Sequence, residues 1–436
     1  MSEPSRALAR RLGAFDAAMI VMGGMVGAGI FVNPAVVAHE VPSAVLSVLA
    51  WAVGGAIALL GAFLYAELAE RLPEAGGQYA YLREAWHPLL GFLYGWTLLL
   101  VTGSGGQAAV AMTFARYLKV LTGLDVPEGA VAVATLAGVA AVNLLGVRAG
   151  GSLQSALMVT KASAIALLVF AGLLAAGVPP ASAEAASALS AAGLVAAFGA
   201  ALVPVFFAYG GYQNSGFAAE ELKNPERDLP RGLLFGVAGV LILYVSVAWV
   251  SVRVLGAAGL AATGTPASDV MTHSLGPVGG KLIALGIAIS TLGFLSHGVL
   301  TLPRAYFAMA RDGVFFRKVA TLTPKTRVPA FAILVQAGVA AALALSGRYE
   351  QILGFVMSVD VLFFAATGAA LFVFRRRGGP LPRIGLPGHP VTTLVFIGAC
   401  LFVAGSTWVR YPGNSAAGLG LLLSGVPAYL FWSRKR

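Results

Sequence analysis

Two apolar stretches contain residues that an uninterrupted membrane-length helix would not tolerate, and both could do chemistry with their backbone. The first, GGMVGAGIFVNP, sets Gly23, Gly24, Gly27 and Gly29 ahead of Pro34, inside an apolar run that opens near Ala14. The second, VPVFFAYGGYQNSG, sets Pro204 ahead of the pair Gly210 and Gly211. Glycine costs roughly 1 kcal/mol against alanine in a helix interior and proline about 3, so each stretch reads as a built-in break. A break frees backbone N–H and C=O groups, which at membrane depth are tolerated only where they line a cavity. One glycine cluster alone would read as close helix packing; two, each beside a proline, read as a site. Lys161 in LMVTKASAIALL and Asp360 in MSVDVLFF lie well inside apolar runs, where a charge is a functional hypothesis by default. The long stem of Lys161 could also carry its charge to the interface, and Asp360 reads equally as a structural partner or a coupling group. His297 could titrate near neutral pH or serve as a packed hydrogen-bonder.

The elements that must position these residues are membrane helices. The 436 residues are 58% hydrophobic and 11% charged, where soluble domains carry about 25% charge. Twelve apolar runs of spanning length fall near residues 14–38, 43–68, 88–118, 129–147, 153–177, 193–219, 232–256, 279–308, 329–346, 350–374, 391–409 and 416–433. The two breaks fall in the first and the sixth. Five spans apart is an odd number, so the second unit enters the membrane from the opposite side, as inverted repeats of transporters do. With both termini inside, 22 of the 29 lysines and arginines fall in cytoplasmic segments, among them Arg6, Arg10, Arg11 and the terminal RKR. That asymmetry follows the positive-inside rule, so the net charge of +11 reports topology and contact with anionic lipid, not nucleic acid. The basic-then-apolar start reads as an uncleaved first helix. Cys400 is the one cysteine and lies in an apolar run, so no disulfide-linked partner subunit and no metal site are expected. No catalytic or nucleotide motif is present, and no cofactor is expected.

The pieces GAGIFVNP (27–34), PEAGGQYAYLREAW (73–86), NLLGVRAGG (143–151), FFAYGGYQN (206–214), EELKNPERDLPRG (220–232) and RAYFAMARDG (304–313) resemble the amino acid–polyamine–organocation superfamily. Within it the chain is most similar to bacterial homologues of the L-type exchangers, the light subunits of heteromeric transporters. The resemblance implies an all-α polytopic membrane protein with twelve spans in a leucine-transporter-like fold of two inverted five-helix repeats. The first repeat would cover residues 1–180 and the second 181–378, with peripheral helices in 379–436 and helices 1 and 6 broken.

A zwitterion needs donors for its carboxylate and acceptors for its ammonium, and a half-helix N-terminus and freed carbonyls supply them. By resemblance, the N–H groups of Ala28 and Gly29 hold the carboxylate, and the carbonyls of Met25, Phe207 and Gly210 take the amine. Gly27 and Gly211 complete the breaks. Ala28 stands where the family usually has serine, so the backbone must suffice. Phe207 aligns with the aromatic gate that covers bound substrate, although aromatic residues in spans also simply pack. Lys161 aligns with a lysine whose amine occupies the sodium position of sodium-coupled relatives, bridging spans 1, 5 and 8. That implies sodium independence, with exchange or proton coupling both open. Gly298 stands where arginine exchangers carry tryptophan, and Gln213 where they carry glutamate. A neutral amino acid is therefore the expected substrate, beside Phe294 and Gly298, and a cationic amino acid or polyamine is the alternative. A sensor that binds without transport is the rival from another class. Glu221, Lys223, Arg227, Asp228 and Arg231 could form an ion network at the inner mouth, or a solvated basic loop.

Overall fold

The computed structural model describes residues 13–41, 43–72, 77–145, 151–175, 190–213, 222–323, 326, 328–378 and 382–433, with only the backbone of 151–157, 225, 300, 304, 308, 311 and 317. Arg6, Arg10, Arg11, the terminal residues 434–436, Glu221 and the repeat boundary expected at 180/181 lie outside the described residues.

Helix α1 (Ala14–Met25) ends at the first glycine cluster, and α2 (Gly29–Glu40) resumes after a bend of 46°. Next come α3 (Ala44–Arg71), the short α4 (Gln78–Ala85) and α5 (Pro88–Thr97), which runs through a π-helical turn, Leu98–Thr102, into α6 (Gly103–Thr122). The chain continues with α7 (Glu128–Leu144), α8 (Gly151–Leu174), α9 (Ala191–Tyr209), α10 (Pro225–Ala262) and α11 (Pro266–Thr301). It closes with α12 (Pro303–Arg311), α13 (Ala330–Ser346), α14 (Tyr349–Arg376), α15 (Val391–Arg410) and α16 (Pro412–Ser433). Among the described residues eight helices are long and apolar enough to cross a bilayer, nine when the bent pair α1–α2 counts as one span. Three further apolar helices, α7, α13 and Met158–Leu174 within α8, are 10–17 residues long.

The burial pattern is that of a bilayer protein. Val395, Leu401, Val409, Leu423 and Phe431 face outward on α15 and α16, while Asn33, Glu67, Gln78, Gln107, Asn143 and Gln336 are packed inside. Lipid accepts the first group, and the second is usable only where helices satisfy it or a cavity hydrates it.

The first break is held in place by close packing. A Cβ on Gly29 would lie 2.8 Å from Ala208 Cα, so glycine lets α2 and α9 touch. Asn33 Nδ2 donates to the Pro204 carbonyl at 2.7 Å, and the Tyr349 hydroxyl donates to Asn33 Oδ1 at 2.9 Å. These two bonds join α2, α9 and α14 beside the break.

Charges gather at the two ends. Where α3 finishes, Glu67 is fully buried and takes Arg375 at 2.6 Å and Arg71 at 3.0 Å. Nearby, Asp312 accepts from Tyr79 at 2.7 Å and Arg83 at 3.0 Å. Burial, and then the Asp312 carboxylate, push the Tyr79 hydroxyl well above its ordinary pKa, so it remains a donor. At the opposite end Arg116 meets Glu128 at 3.0 Å, and Arg410 meets Glu40 at 3.0 Å. Among the described residues no ion pair joins Lys223, Arg227, Asp228 and Arg231; Asp228 instead accepts from the Asn224 N–H at 3.1 Å.

Candidate functional site

The α1–α2 break and the end of α9 open on one cavity of about 930 Å³, its open mouth included, walled also by the start of α6, α11 and α14. At the first break the Val26 N–H still closes α1 on Met22 O at 2.7 Å, and the Gly27 N–H turns back to Met25 O at 2.8 Å. α2 then begins at Gly29 without a side-chain cap. The Phe31 N–H bonds back to Ala28 O at 3.0 Å, and the N–H groups of Ala28 and Gly29 ahead of it lie at the positive end of the helix dipole. Ala28 and Gly29 both line the cavity.

At the second glycine cluster α9 stops after Tyr209, and the Gly210 N–H bonds back to Phe206 O at 2.9 Å and Phe207 O at 3.2 Å. Gly211 has φ +111°, a conformation open to glycine, and its N–H donates to Gln213 Oε1 at 2.8 Å. The two glycine clusters press on each other: a Cβ on Gly211 would lie 2.2 Å from Gly24 O. Residues 214–221, which continue the expected sixth span, lie outside the described residues.

Lys161 is buried on α8, with its Nζ 3.1 Å from the Val26 carbonyl and 5.8 Å from the centre of the Phe294 ring. The ammonium thus ties α8 to the broken segment and faces an aromatic ring of α11. Phe207, half-buried on the last turn of α9, lines the cavity, as do Phe294, Gly298, His297 and Asp360. Of the carbonyls expected to hold an amine, Met25 O also accepts from the Tyr244 hydroxyl at 2.9 Å.

Three participants escaped the sequence reading. Tyr244 packs with Trp51 and Tyr209 into an aromatic cluster behind the break, with ring centroids 5.1–5.9 Å apart. Asn33 joins three helices, and Gln107 lines the cavity from α6. Asn33 and Gln107 are amides inside apolar runs, which was a usable signal. Tyr244, in LILYVSVAWV, had none.

A membrane chain whose broken first span meets the end of another apolar helix at one cavity is a permease in form. The chain belongs to the amino acid permease family, whose model matches residues 12–426. Among its relatives, the serine/threonine exchanger SteT of Bacillus subtilis (strain 168) is 29% identical, covering 100% of both chains. The human large neutral amino acids transporter small subunit 2 is 29% identical, over 98% of this chain and 82% of the relative. An uncharacterized transporter of Mycobacterium tuberculosis is 31% identical, over 97% of this chain and 91% of its own length. The family and these relatives are transporters, and the chain is a multi-pass amino acid transporter.

Proposed function

We propose that the chain exchanges neutral L-amino acids across the cytoplasmic membrane by alternating access, without sodium. The observation that carries this reading is the meeting of the α1–α2 break and the end of α9 at one cavity, with a buried ammonium hydrogen-bonded to the broken segment. The N–H groups of Ala28 and Gly29 receive the carboxylate, and the carbonyls of Met25, Phe207 and Gly210 face the ammonium, with Met25 O already accepting from the Gly27 N–H and the Tyr244 hydroxyl, and Phe207 O from the Gly210 N–H. Gly27 and Gly211 give the breaks their turn. The positive end of α2 favours the anion, and Lys161 adds a second positive charge behind the same segment. A fixed ammonium there leaves no room for a sodium ion. The relatives' names, an exchanger of serine and threonine and a transporter of large neutral amino acids, support a neutral substrate and exchange. Purified chain in proteoliposomes should take up labelled neutral amino acid only when unlabelled substrate is inside, and equally well in sodium or choline. Uptake that collapses in choline would remove the lysine argument. Accumulation driven by a pH gradient into empty vesicles would replace exchange by proton symport.

A second reading, a cationic amino acid or polyamine, draws on Asp360, whose carboxylate lines the same cavity. Competition by excess lysine or putrescine in the same vesicles decides for it.

The spanning helices, the bent pair and the three shorter apolar helices make twelve spans. They would be grouped as repeats 1–180 and 181–378 with peripheral helices in 379–436, and with both termini cytoplasmic. Cys400 is buried, which leaves this thiol no route to a disulfide-linked partner. An N-terminal tag should resist protease in intact cells and be cut only after permeabilisation; cleavage from outside would reverse the topology.

Phe207 acts as the gate over the substrate in this reading. Phe207→Ala should lower exchange roughly 10-fold while insertion and thermal stability stay near wild type, and Phe207→Trp should retain part of the rate. Unchanged kinetics in a well-inserted Phe207→Ala chain would make the ring a packing residue only.

A further inference from the structure

We propose that Asn33 is a positioning residue for alternating access: it ties α2 to α9 and, through Tyr349, latches both shut on the outer side of the cavity. This deepens the transport reading above and rests on it and on its topology. Asn33 lies one turn into α2, and its two amide atoms go to two different helices. Nδ2 donates to the Pro204 carbonyl of α9 at 2.7 Å, and Oδ1 accepts from the Tyr349 hydroxyl of α14 at 2.9 Å. A carboxamide suits this place because it donates and accepts at once. A second bond holds the same segment: the Tyr117 hydroxyl of α6 donates to the Phe31 carbonyl at 2.6 Å. Thus α2 is bonded on one side to α9, which carries the other glycine cluster, and on the other side to α6 and α14.

These bonds lie beyond the cavity. Its wall takes no residue of α2 past Gly29, none of α6 past Val110 and none of α14 before Val356. Tyr117 and Tyr349 sit about 10 Å further along their helices at the helical rise, toward the end that carries the Arg116–Glu128 and Arg410–Glu40 pairs. Phe31, Asn33, Tyr117 and Tyr349 are all buried, so together they plug the route between the cavity and that end. The Tyr349 ring is held in turn: the Arg116 guanidinium lies 5.3 Å from its centre and pairs with Glu128 of α7 at 3.0 Å and Glu350 of α14 at 3.7 Å. Opening this side moves α2 away from α6 and α14, which breaks the Tyr349 and Tyr117 bonds and spares the bond to Pro204. Water then satisfies the freed groups, so each bond weights the closed state by only about 5-fold.

Removing one hydroxyl at a time tests this. The reporter is Val110→Cys, at the limit of the cavity wall on α6, in a Cys400→Ser chain. The readout is its rate of labelling in intact cells by a membrane-impermeant thiol reagent. Tyr349→Phe and Tyr117→Phe should each raise that rate about 5-fold. Tyr349→Phe leaves Asn33 on Pro204, so without the reporter its exchange rate should stay within about three-fold of wild type. Asn33→Leu cuts both ties, and it should raise labelling at least as much and lower exchange by about 10-fold or more. Tyr209→Phe removes a buried hydroxyl bond from α9 to Trp51 O of α3, 3.1 Å long; it is the control, and its labelling should stay within about two-fold of the parent. Labelling unmoved by both Tyr349→Phe and Tyr117→Phe, at matched insertion, overturns the latch. A like rise in Tyr209→Phe overturns it too, as a general loosening. An Asn33→Leu chain that exchanges as fast as Tyr349→Phe overturns the tie to α9. Labelling that rises only in inverted vesicles overturns the topology, and with it the outward placement of the latch. Exchange of no amino acid at all would overturn the transport reading beneath it.

Discussion

Lys161→Ala is expected to reduce exchange by roughly 100-fold, a change of about 2.7 kcal/mol in the rate-limiting step. The substitution removes the donor 3.1 Å from Val26 O and leaves that carbonyl buried without its charged partner. An unpaired buried acceptor costs about 1–3 kcal/mol. The loss falls on the segment whose geometry presents the N–H groups of Ala28 and Gly29. Lys161→Arg should fail as well, because a planar guanidinium cannot replace a compact ammonium in a closed site. Exchange rates measured on vesicles with matched amounts of inserted protein check this. Wild-type rates in Lys161→Ala would show that α8 is not coupled to the break.

Gly211→Ala should be the most damaging single-methyl substitution among the cavity glycines. Its φ of +111° disfavours any side chain, and the new Cβ would lie 2.2 Å from Gly24 O, in the other break. Backbone strain of this type costs about 1–3 kcal/mol, and overpacking adds roughly 1–3 more. A monodisperse, correctly inserted yield well below half of wild type is expected. Gly398→Ala is the control, since nothing lies within 4 Å of its added Cβ and it should behave as wild type. A Gly211→Ala chain with the thermal stability of wild type would mean that the two breaks do not press together as described.

The glycine–proline breaks and Lys161 were legible because each violates a local rule: glycine and proline inside an apolar run, and a charge at membrane depth. The contacts that hold them were not, because they are distant in sequence. Tyr244 reaches Met25 across 219 residues, and its hydroxyl is chemically ordinary among twelve tyrosines. The charged loop 220–231 drew attention by its density, yet the ion pairs that form near that end join Glu67 to Arg375, 308 residues apart. Local charge density reports solvation and topology; pairing is set by which helix ends meet. Twelve apolar runs could be counted, and α7 and α13 form 17 helical residues each, at the short end of what spans a bilayer. The π-helical turn at Leu98–Thr102, which puts Leu98 and Thr102 in the cavity wall, carries no sequence mark at all.

The central claim is that the two breaks are the substrate site. The most direct measurement is an experimental structure of the chain in a lipid nanodisc with a saturating amino acid that it exchanges. The account requires density in the cavity between Phe207 and Gly298, with the carboxylate about 2.7–3.2 Å from the N–H groups of Ala28 and Gly29. An amino acid bound elsewhere, or one whose carboxylate points away from the start of α2, would contradict it.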